Sequence, residues 1–551
     1  MKIKLSQNQL TLIISIFFVL FYNLAFFSKT FAVYPIDTQN IFFLASIVII
    51  LISATNLMLS LLLLIMNSFL RVVRLKVVYK RFFLVVFFLA MLAAYVMDTY
   101  STVIDDTMLL NILKTDAKES LDLVTIKLFF YIIFLFVLPM FLIFKIEVKE
   151  VLFKKDLVLK LKTILISLVV IFVMTISFGK FYASFLREQK PLRYYTNPTY
   201  WIYSMGKFGS SFFKNPSKAL EAIGKGSIIP VHDVDRDMVI LVVGETARRD
   251  SFSLNGNKNE TNPLLKKENV LSFTNATSCG TSTAISVPCM FSYFGRSKFN
   301  VDDANSTENL LDVLSHTQEV NILWRDNNSD SKGVAVRAKF EDYKTSATNT
   351  ICDEECRDVG MLVGLQKHID SVKEKDILIV LHQMGNHGPA YYKRYPKEFE
   401  VFRPVCKTSE LGKCTNEEIT NAYDNAILYT DYFLSKVITL LKANSSKFNT
   451  AMLYVSDHGE SLGENGIYLH GLPYMMAPKE QKDIAMIMWF GGGMEAETNY
   501  VLLKKRLNEP YSHDNVFHTI LGMFEVESSV YKPEMDILDG VHIQINSTKN
   551  N

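Results

Sequence analysis

The chain of 551 residues is 49% hydrophobic, 12% aromatic and only 21% charged, with a mean hydropathy of +0.17. That composition excludes a disordered or collagen-like chain and is too apolar for an ordinary soluble protein of this length. The formal net charge of +2 hides a split: residues 1–180 hold 18 Lys and Arg against 10 Asp and Glu, leaving 40 against 46 of the chain's 58 and 56 for the remainder. A near-neutral sum of a basic part and an acidic part says nothing for nucleic acid, and no such partner is expected.

Five runs without charge interrupt the basic part, at 5–28, 38–70, 82–97, 128–144 and 163–179. Roughly 17 to 25 apolar residues span the hydrocarbon core, so the last three sit at or just under the lower limit. Their flanking Arg81, Lys127, Lys145, Lys162 and Lys180 can snorkel and lengthen them. Five transmembrane helices are expected. A removable signal peptide is not, because the first run is long, lacks a small-residue cleavage pattern and is followed by further spans. Short loops rich in Lys and Arg stay inside. The loop at 71–81 carries Arg71, Arg74, Lys76, Lys80 and Arg81, and the loop at 145–162 is as basic, whereas 29–37 holds only Lys29 and 98–122 is acid-rich. The N-terminus is therefore inside, and an odd number of crossings puts everything after Lys180 outside.

The cysteines agree. All six, Cys279, Cys289, Cys352, Cys356, Cys406 and Cys414, lie in the exported part, in three local couples that suggest three short disulfide loops in an oxidising compartment. Residues 181–235 read as a connector dense in Tyr and Trp that favours the membrane interface, and 236–551 as one catalytic domain. Within that domain, short apolar runs alternate with helical patterns, which predicts a mostly parallel sheet covered by helices. Four runs end in polar clusters: 238–243 before Glu245, 320–324 before Arg325 to Asn328, 377–381 before His382 and His387, and 451–455 before Asp457, His458 and Glu460. Ligands of open α/β sheets sit outside the carboxyl ends of strands, so four strands deliver these groups to one edge.

Asp457 and His458 with Glu245 offer oxygen and nitrogen donors suited to Zn²⁺ with one open position. The hydroxyl-rich segment 278–289 opens a short helix that stops near Pro288, and a hydroxyl there could be both metal ligand and nucleophile. A plain Ser/Thr-rich capping loop is the alternative.

Together VGETAR (243–248), SCGTSTAISVPCMFS (278–292), WRDNN (324–328), LHQMGNHGP (381–389), SDHGESLGENGIYLHG (456–471) and SHDNVFHT (512–519) resemble the lipid A phosphoethanolamine transferases, which include the mobile colistin-resistance enzymes. That family belongs to the alkaline-phosphatase and sulfatase superfamily, and the likeness runs the whole chain. It implies five transmembrane helices followed by an α/β domain of alkaline-phosphatase/sulfatase-like fold, multi-pass in a bacterial inner membrane with the catalytic domain in the periplasm. It implies that Glu245, Thr283, Asp457 and His458 hold Zn²⁺, with Thr283 the nucleophile. It also implies that His387, His470, Asn328 and Lys332 face the phosphoethanolamine group or a second, more labile zinc. His382, Glu460 and His513 are expected to support ligands and not to be ligands. Asn111, Thr115 and Glu119 recur every four residues, as on a solvated helical face, and the same pattern in the family is thought to contact lipid headgroups.

The implied reaction takes phosphoethanolamine from phosphatidylethanolamine to a phosphate of lipid A through a threonine ester. Added cationic charge would give resistance to polymyxin and other cationic peptides. Another envelope acceptor, a core sugar or a surface protein, is the alternative. A monomer is expected. A sulfatase would need C-x-P-x-R, and Cys289-Met-Phe-Ser-Tyr is not one.

Overall fold

The computed structural model describes residues 3–69, 75–114, 117–149, 151, 153–214, 219–230 and 235–541, so Arg71, Arg74 and Thr115 lie outside the described residues. Packing divides the chain into one unit of 1–109 with 124–213 and another of 110–123 with 214–551.

Among the described residues of the first unit, four helices are long and apolar enough to cross a membrane: Ile41–Met66, Tyr79–Tyr100, Ile126–Lys145 and Lys154–Ser177. The short apolar runs do grow into their charged flanks. Lys160, inside the last of these helices, pairs with Asp156 one turn away at 2.6 Å. The first run is a bent pair, Gln7–Phe21 and Leu24–Val33, with 57° between them, and counting it as one gives five spans. The break falls at Asn23, whose Nδ2 donates to Phe18 O at 3.0 Å and to Asn197 O at 2.7 Å, while its Oδ1 accepts from Asn197 N at 2.8 Å. Asp98 accepts from Ala25 N at 2.8 Å, at the start of the second half. A bend is tolerated in a membrane helix when neighbours satisfy the freed backbone groups, and these side chains do so. The connector beyond 180 is largely helical, in Gly179–Glu188 and Thr199–Lys214.

The second unit is built on a seven-stranded sheet. In chain order its strands are β1 (Asp237–Gly244), β2 (Leu271–Phe273), β3 (Val320–Asp326), β4 (Lys339–Asp342), β5 (Asp376–His382), β6 (Asn449–Ser456) and β7 (Met486–Gly491). Their spatial order is β2-β7-β6-β1-β5-β3-β4, and β7 runs against both its neighbours while the other pairs are parallel. The four strands predicted to carry polar ends are thus the four contiguous central ones. All eight residues of β1 are buried. Because side chains alternate across a strand, Val239, Leu241 and Val243 join a core with Val313, Leu314, Phe517 and Ile520, while Met238, Ile240 and Val242 join another with Phe433, Leu434 and Val437. Each fully buried Val, Leu or Ile contributes about 1.5–3 kcal/mol, so register here is strongly fixed. With both faces covered, the strands' carboxyl ends hold the polar residues.

Candidate active site

Glu245 follows β1 and Asp457-His458 follow β6; those strands pair directly, with Gly244 opposite Ser456. Between them Thr246 adopts φ +55°, costly for a β-branched residue. That turn lets its N–H donate to Asp457 Oδ1 at 2.9 Å and its hydroxyl to Glu245 Oε1. Gly385, at φ +50°, permits the loop after β5 to pass so close that a Cβ there would meet Glu245 O at 2.8 Å.

Thr283 is the first residue of the helix Thr283–Met290, and the Ser282 side chain makes no capping hydrogen bond to it. The Thr283 hydroxyl donates to Glu245 Oε2 at 3.2 Å and lies 3.5 Å from His458 Nε2. Cys279 is joined to Cys289 across this turn; the other disulfides are Cys352–Cys356 and Cys406–Cys414. Thr281 donates to Leu472 O at 2.6 Å and accepts from Gly471 N at 2.8 Å, which ties the hydroxyl segment to the loop bearing His470.

Glu245, Asp457 and His458 are buried and present donor atoms within 4.8 Å of one another. His458 Nδ1–H donates to Gly459 O at 2.8 Å, and Nε2 lies 3.6 Å from Glu245 Oε1 and 3.3 Å from Asp457 Oδ2. Asp457 Oδ2 is buried without a hydrogen-bond partner. Burial, and then the Glu245 carboxylate, push the Asp457 carboxyl up. Burial works against charge on His458, but Asp457 and Glu245 outweigh it and raise its pKa. Two buried carboxylates and an imidazole nitrogen, one carboxylate oxygen unsatisfied, form a donor set that could hold a divalent metal ion.

His470 lies beside this set, its ring 4.1 Å from that of His458 and 6.0 Å from that of His387. Glu460 accepts from His470 Nδ1 at 2.8 Å and from the Tyr391 hydroxyl at 2.5 Å, so both its oxygens are engaged in orienting His470. Burial, then His458, lowers the His470 pKa, keeping the ring neutral near pH 7. Asn328 Nδ2 donates to Glu245 Oε2 at 2.9 Å and to Gln383 O at 2.8 Å. The Lys332 ammonium donates to Ser329 Oγ, and Ser329 Oγ in turn to Asn328 Oδ1 at 2.9 Å. Asn111 lies on the helix Asp106–Lys114 and Glu119 on the helix Ala117–Asp122.

His382 and His513 are both hydrogen-bonded to groups around the site. His382 Nδ1 bonds Asp326 Oδ2 at 2.9 Å. His513 accepts from Cys279 N at 3.1 Å and donates to Ser456 O at 2.8 Å, a pattern only the neutral ring can make, and burial lowers its pKa to about 4. Two supports were not singled out from sequence. Asp326 also accepts from Trp324 Nε1 at 2.9 Å and from Asn328 N at 3.0 Å. Asp358 accepts from Asn327 Nδ2 at 2.8 Å, Met384 N at 2.9 Å and Gly385 N at 3.1 Å, which fixes the loop leading to His387. Asp326 stood inside a quoted motif; Asp358 stands in none, and only tertiary structure reveals it.

Two family descriptions match: "Phosphoethanolamine transferase EptA/EptB" over residues 62–211 and "Sulfatase" over 237–526. The chain is 43% identical to phosphatidylethanolamine transferase Mcr-1 of Escherichia coli over 534 residues, covering 94% of this chain and 95% of that one. It is 36% identical to phosphoethanolamine transferase EptA of Escherichia coli (strain K12) over 526 residues, covering 94% and 93%. Its fold is similar to that of the integral membrane protein lipooligosaccharide phosphoethanolamine transferase A from Neisseria meningitidis, with a TM-score of 0.91, 32% identity, and coverage of 98% of this chain and 99% of that one.

Proposed function

The chain belongs to the phosphoethanolamine transferase EptA/EptB family, and from that premise and the strand-end site we infer that it carries phosphoethanolamine from phosphatidylethanolamine to a phosphate of lipid A through a threonine ester. The protein is a phosphoethanolamine transferase, multi-pass in the bacterial inner membrane with its catalytic unit in the periplasm. Residues 1–180 serve as anchor, 181–235 as connector and 236–551 as catalyst. The observation that carries the mechanism is the Thr283 hydroxyl, 3.2 Å from Glu245 and 3.5 Å from His458 at a helix start without a side-chain cap.

Glu245, Thr283, Asp457 and His458 would hold Zn²⁺, which supplies a Lewis acid that acidifies the threonine hydroxyl and draws charge from the phosphoryl group. In the first transfer Thr283 Oγ1 forms a bond to phosphorus as the bond to the glyceryl oxygen breaks; the hydroxyl proton ends on that oxygen and diacylglycerol leaves. In the second, a phosphate oxygen of lipid A forms the bond to phosphorus and Thr283 leaves, regaining a proton. The backbone N–H groups opening the helix Thr283–Met290 face the phosphoryl oxygens. Neutral His470, oriented by Glu460, accepts or donates the proton, while His387 and Lys332 stabilise charge on the donor phosphate. Asn328 holds Glu245 in place. The product bears a cationic amine on an anionic phosphate, which weakens polymyxin binding.

Lipid A mass spectra of cells expressing wild type and Thr283→Ala test this reading. A phosphoethanolamine increment present only with wild type supports it. Unmodified lipid A in both, with phosphoethanolamine on core sugars or a surface protein, would overturn the acceptor.

A further inference from the structure

The segment 110–123 packs with the catalytic unit. Among the described residues of this segment, the helix Asp106–Lys114 has no buried residue, and Ile112, Leu113 and Leu121 are 49%, 68% and 68% exposed. Polar contacts tie its two ends to that unit. At one end the Lys114 ammonium donates to Lys332 O at 3.4 Å and the Lys332 ammonium to Lys114 O at 3.1 Å. At the other, Asp122 accepts from Arg394 Nη2 at 2.6 Å and from Lys393 Nζ at 2.5 Å.

Arg394 makes the second attachment informative. Its side chain is 2% exposed, and each nitrogen serves a different segment: Nη2 on Asp122, Nη1 on Glu355 within the Cys352–Cys356 loop, and Nε on His387 O at 2.6 Å. A planar guanidinium with donors in a fixed fork cannot shift toward one acceptor without straining the others. Asp122 is thus one hydrogen-bonded residue away from the His387 backbone. Burial alone would raise the Asp122 pKa, yet the Arg394 guanidinium and Lys393 hold it below the ordinary carboxylate value, so the carboxylate is charged. Removing it leaves a buried guanidinium with one edge unpaired.

We propose that Asp122, acting through Arg394, is a positioning residue for His387, linking the outward segment 110–123 to the phosphoryl-transfer site. The inference rests on the role given to His387 above. It makes a specific demand: Asp122 should matter only while His387 is present to be positioned.

The test is a double-mutant cycle on the full-length protein, reading diacylglycerol release from vesicles that hold phosphatidylethanolamine together with lipid A as acceptor, so that the enzyme turns over. Asp122→Ala is expected to lower kcat about 10-fold with KM within about twofold, because the histidine is displaced and not lost. Adding Asp122→Ala to His387→Ala should lower kcat no further. Asp122→Asn, which keeps an oxygen for Arg394 and guards against misfolding of the alanine variant, should retain more than half of wild-type kcat, whereas Arg394→Lys, lacking the fork, should behave as Asp122→Ala. Multiplicative losses in the double variant, or wild-type kcat in Asp122→Ala, would overturn the inference. An intact His387→Ala enzyme would remove the role of His387 itself, a different failure from an intact Asp122→Ala beside an impaired His387→Ala.

Discussion

The two units use apolar residues in different ways. The helix Lys154–Ser177 leaves Leu165, Ile166, Phe172 and Ile176 exposed, Phe172 by 66%, whereas every residue of β1 is buried. The membrane unit also buries apolar side chains between its helices, among them Phe18, Phe43, Phe83 and Phe87, while polar side chains such as Asn23 and Asp98 fix its bend. In the catalytic unit the apolar core fixes strand register, and register delivers the polar cluster to one edge. Both units bury apolar residues, but the membrane unit also leaves long apolar faces exposed, and the catalytic unit leaves its polar groups at one sheet edge.

That contrast can be broken or sharpened by substitution. The largest effect belongs to the strand-end cluster: Asp457→Asn or His458→Gln should remove bound zinc, measured by metal analysis, and lower transfer by on the order of 10³-fold, while Phe172→Leu changes neither by more than about twofold. Next comes core register. Leu241→Ala should destabilise the catalytic unit by about 2–5 kcal/mol in denaturant unfolding, and Ile166→Ala on the exposed membrane face by less than about 1 kcal/mol. A pH effect of about 3 kcal/mol follows from His513. Its folded pKa is about 4 against an ordinary 6.5, so the unfolded chain binds the extra proton and the stabilisation is complete above 6.5 and lost as pH falls from 6.5 to 4. The protection of Cys279 and its neighbours from hydrogen exchange, corrected for the intrinsic rate at each pH, should fall across that window in wild type and stay nearly constant in His513→Gln. The smallest effect is in the membrane unit: Asp98→Ala, which uncaps the half-helix at Ala25, should cost about 1 kcal/mol and lower the thermal midpoint with little change in kcat.

Much of this contrast is legible in the sequence. The charge-free runs and the four strand ends are local patterns, and local patterns survive without a structure. Resemblance added roles to Thr283, Glu245, Asp457 and His458, and the structure brings those four together. What the sequence hides is contact between distant residues. The bend at Asn23 depends on Asn197, 174 positions away, and the anchoring of Asp122 on Arg394, 272 positions away. Thr246 stood in a quoted motif, but nothing in VGETAR announces a positive φ. Asp358 is an ordinary acid in an irregular loop until Asn327, Met384 and Gly385 converge on it.

The central claim is that Thr283 becomes the phosphoethanolamine carrier. Its most direct test is peptide mass spectrometry of the full-length protein incubated with phosphatidylethanolamine vesicles and no acceptor. Thr283 should carry a phosphoethanolamine ester that disappears when lipid A is added. Modification of a different residue, or turnover with Thr283 unmodified, would contradict the account.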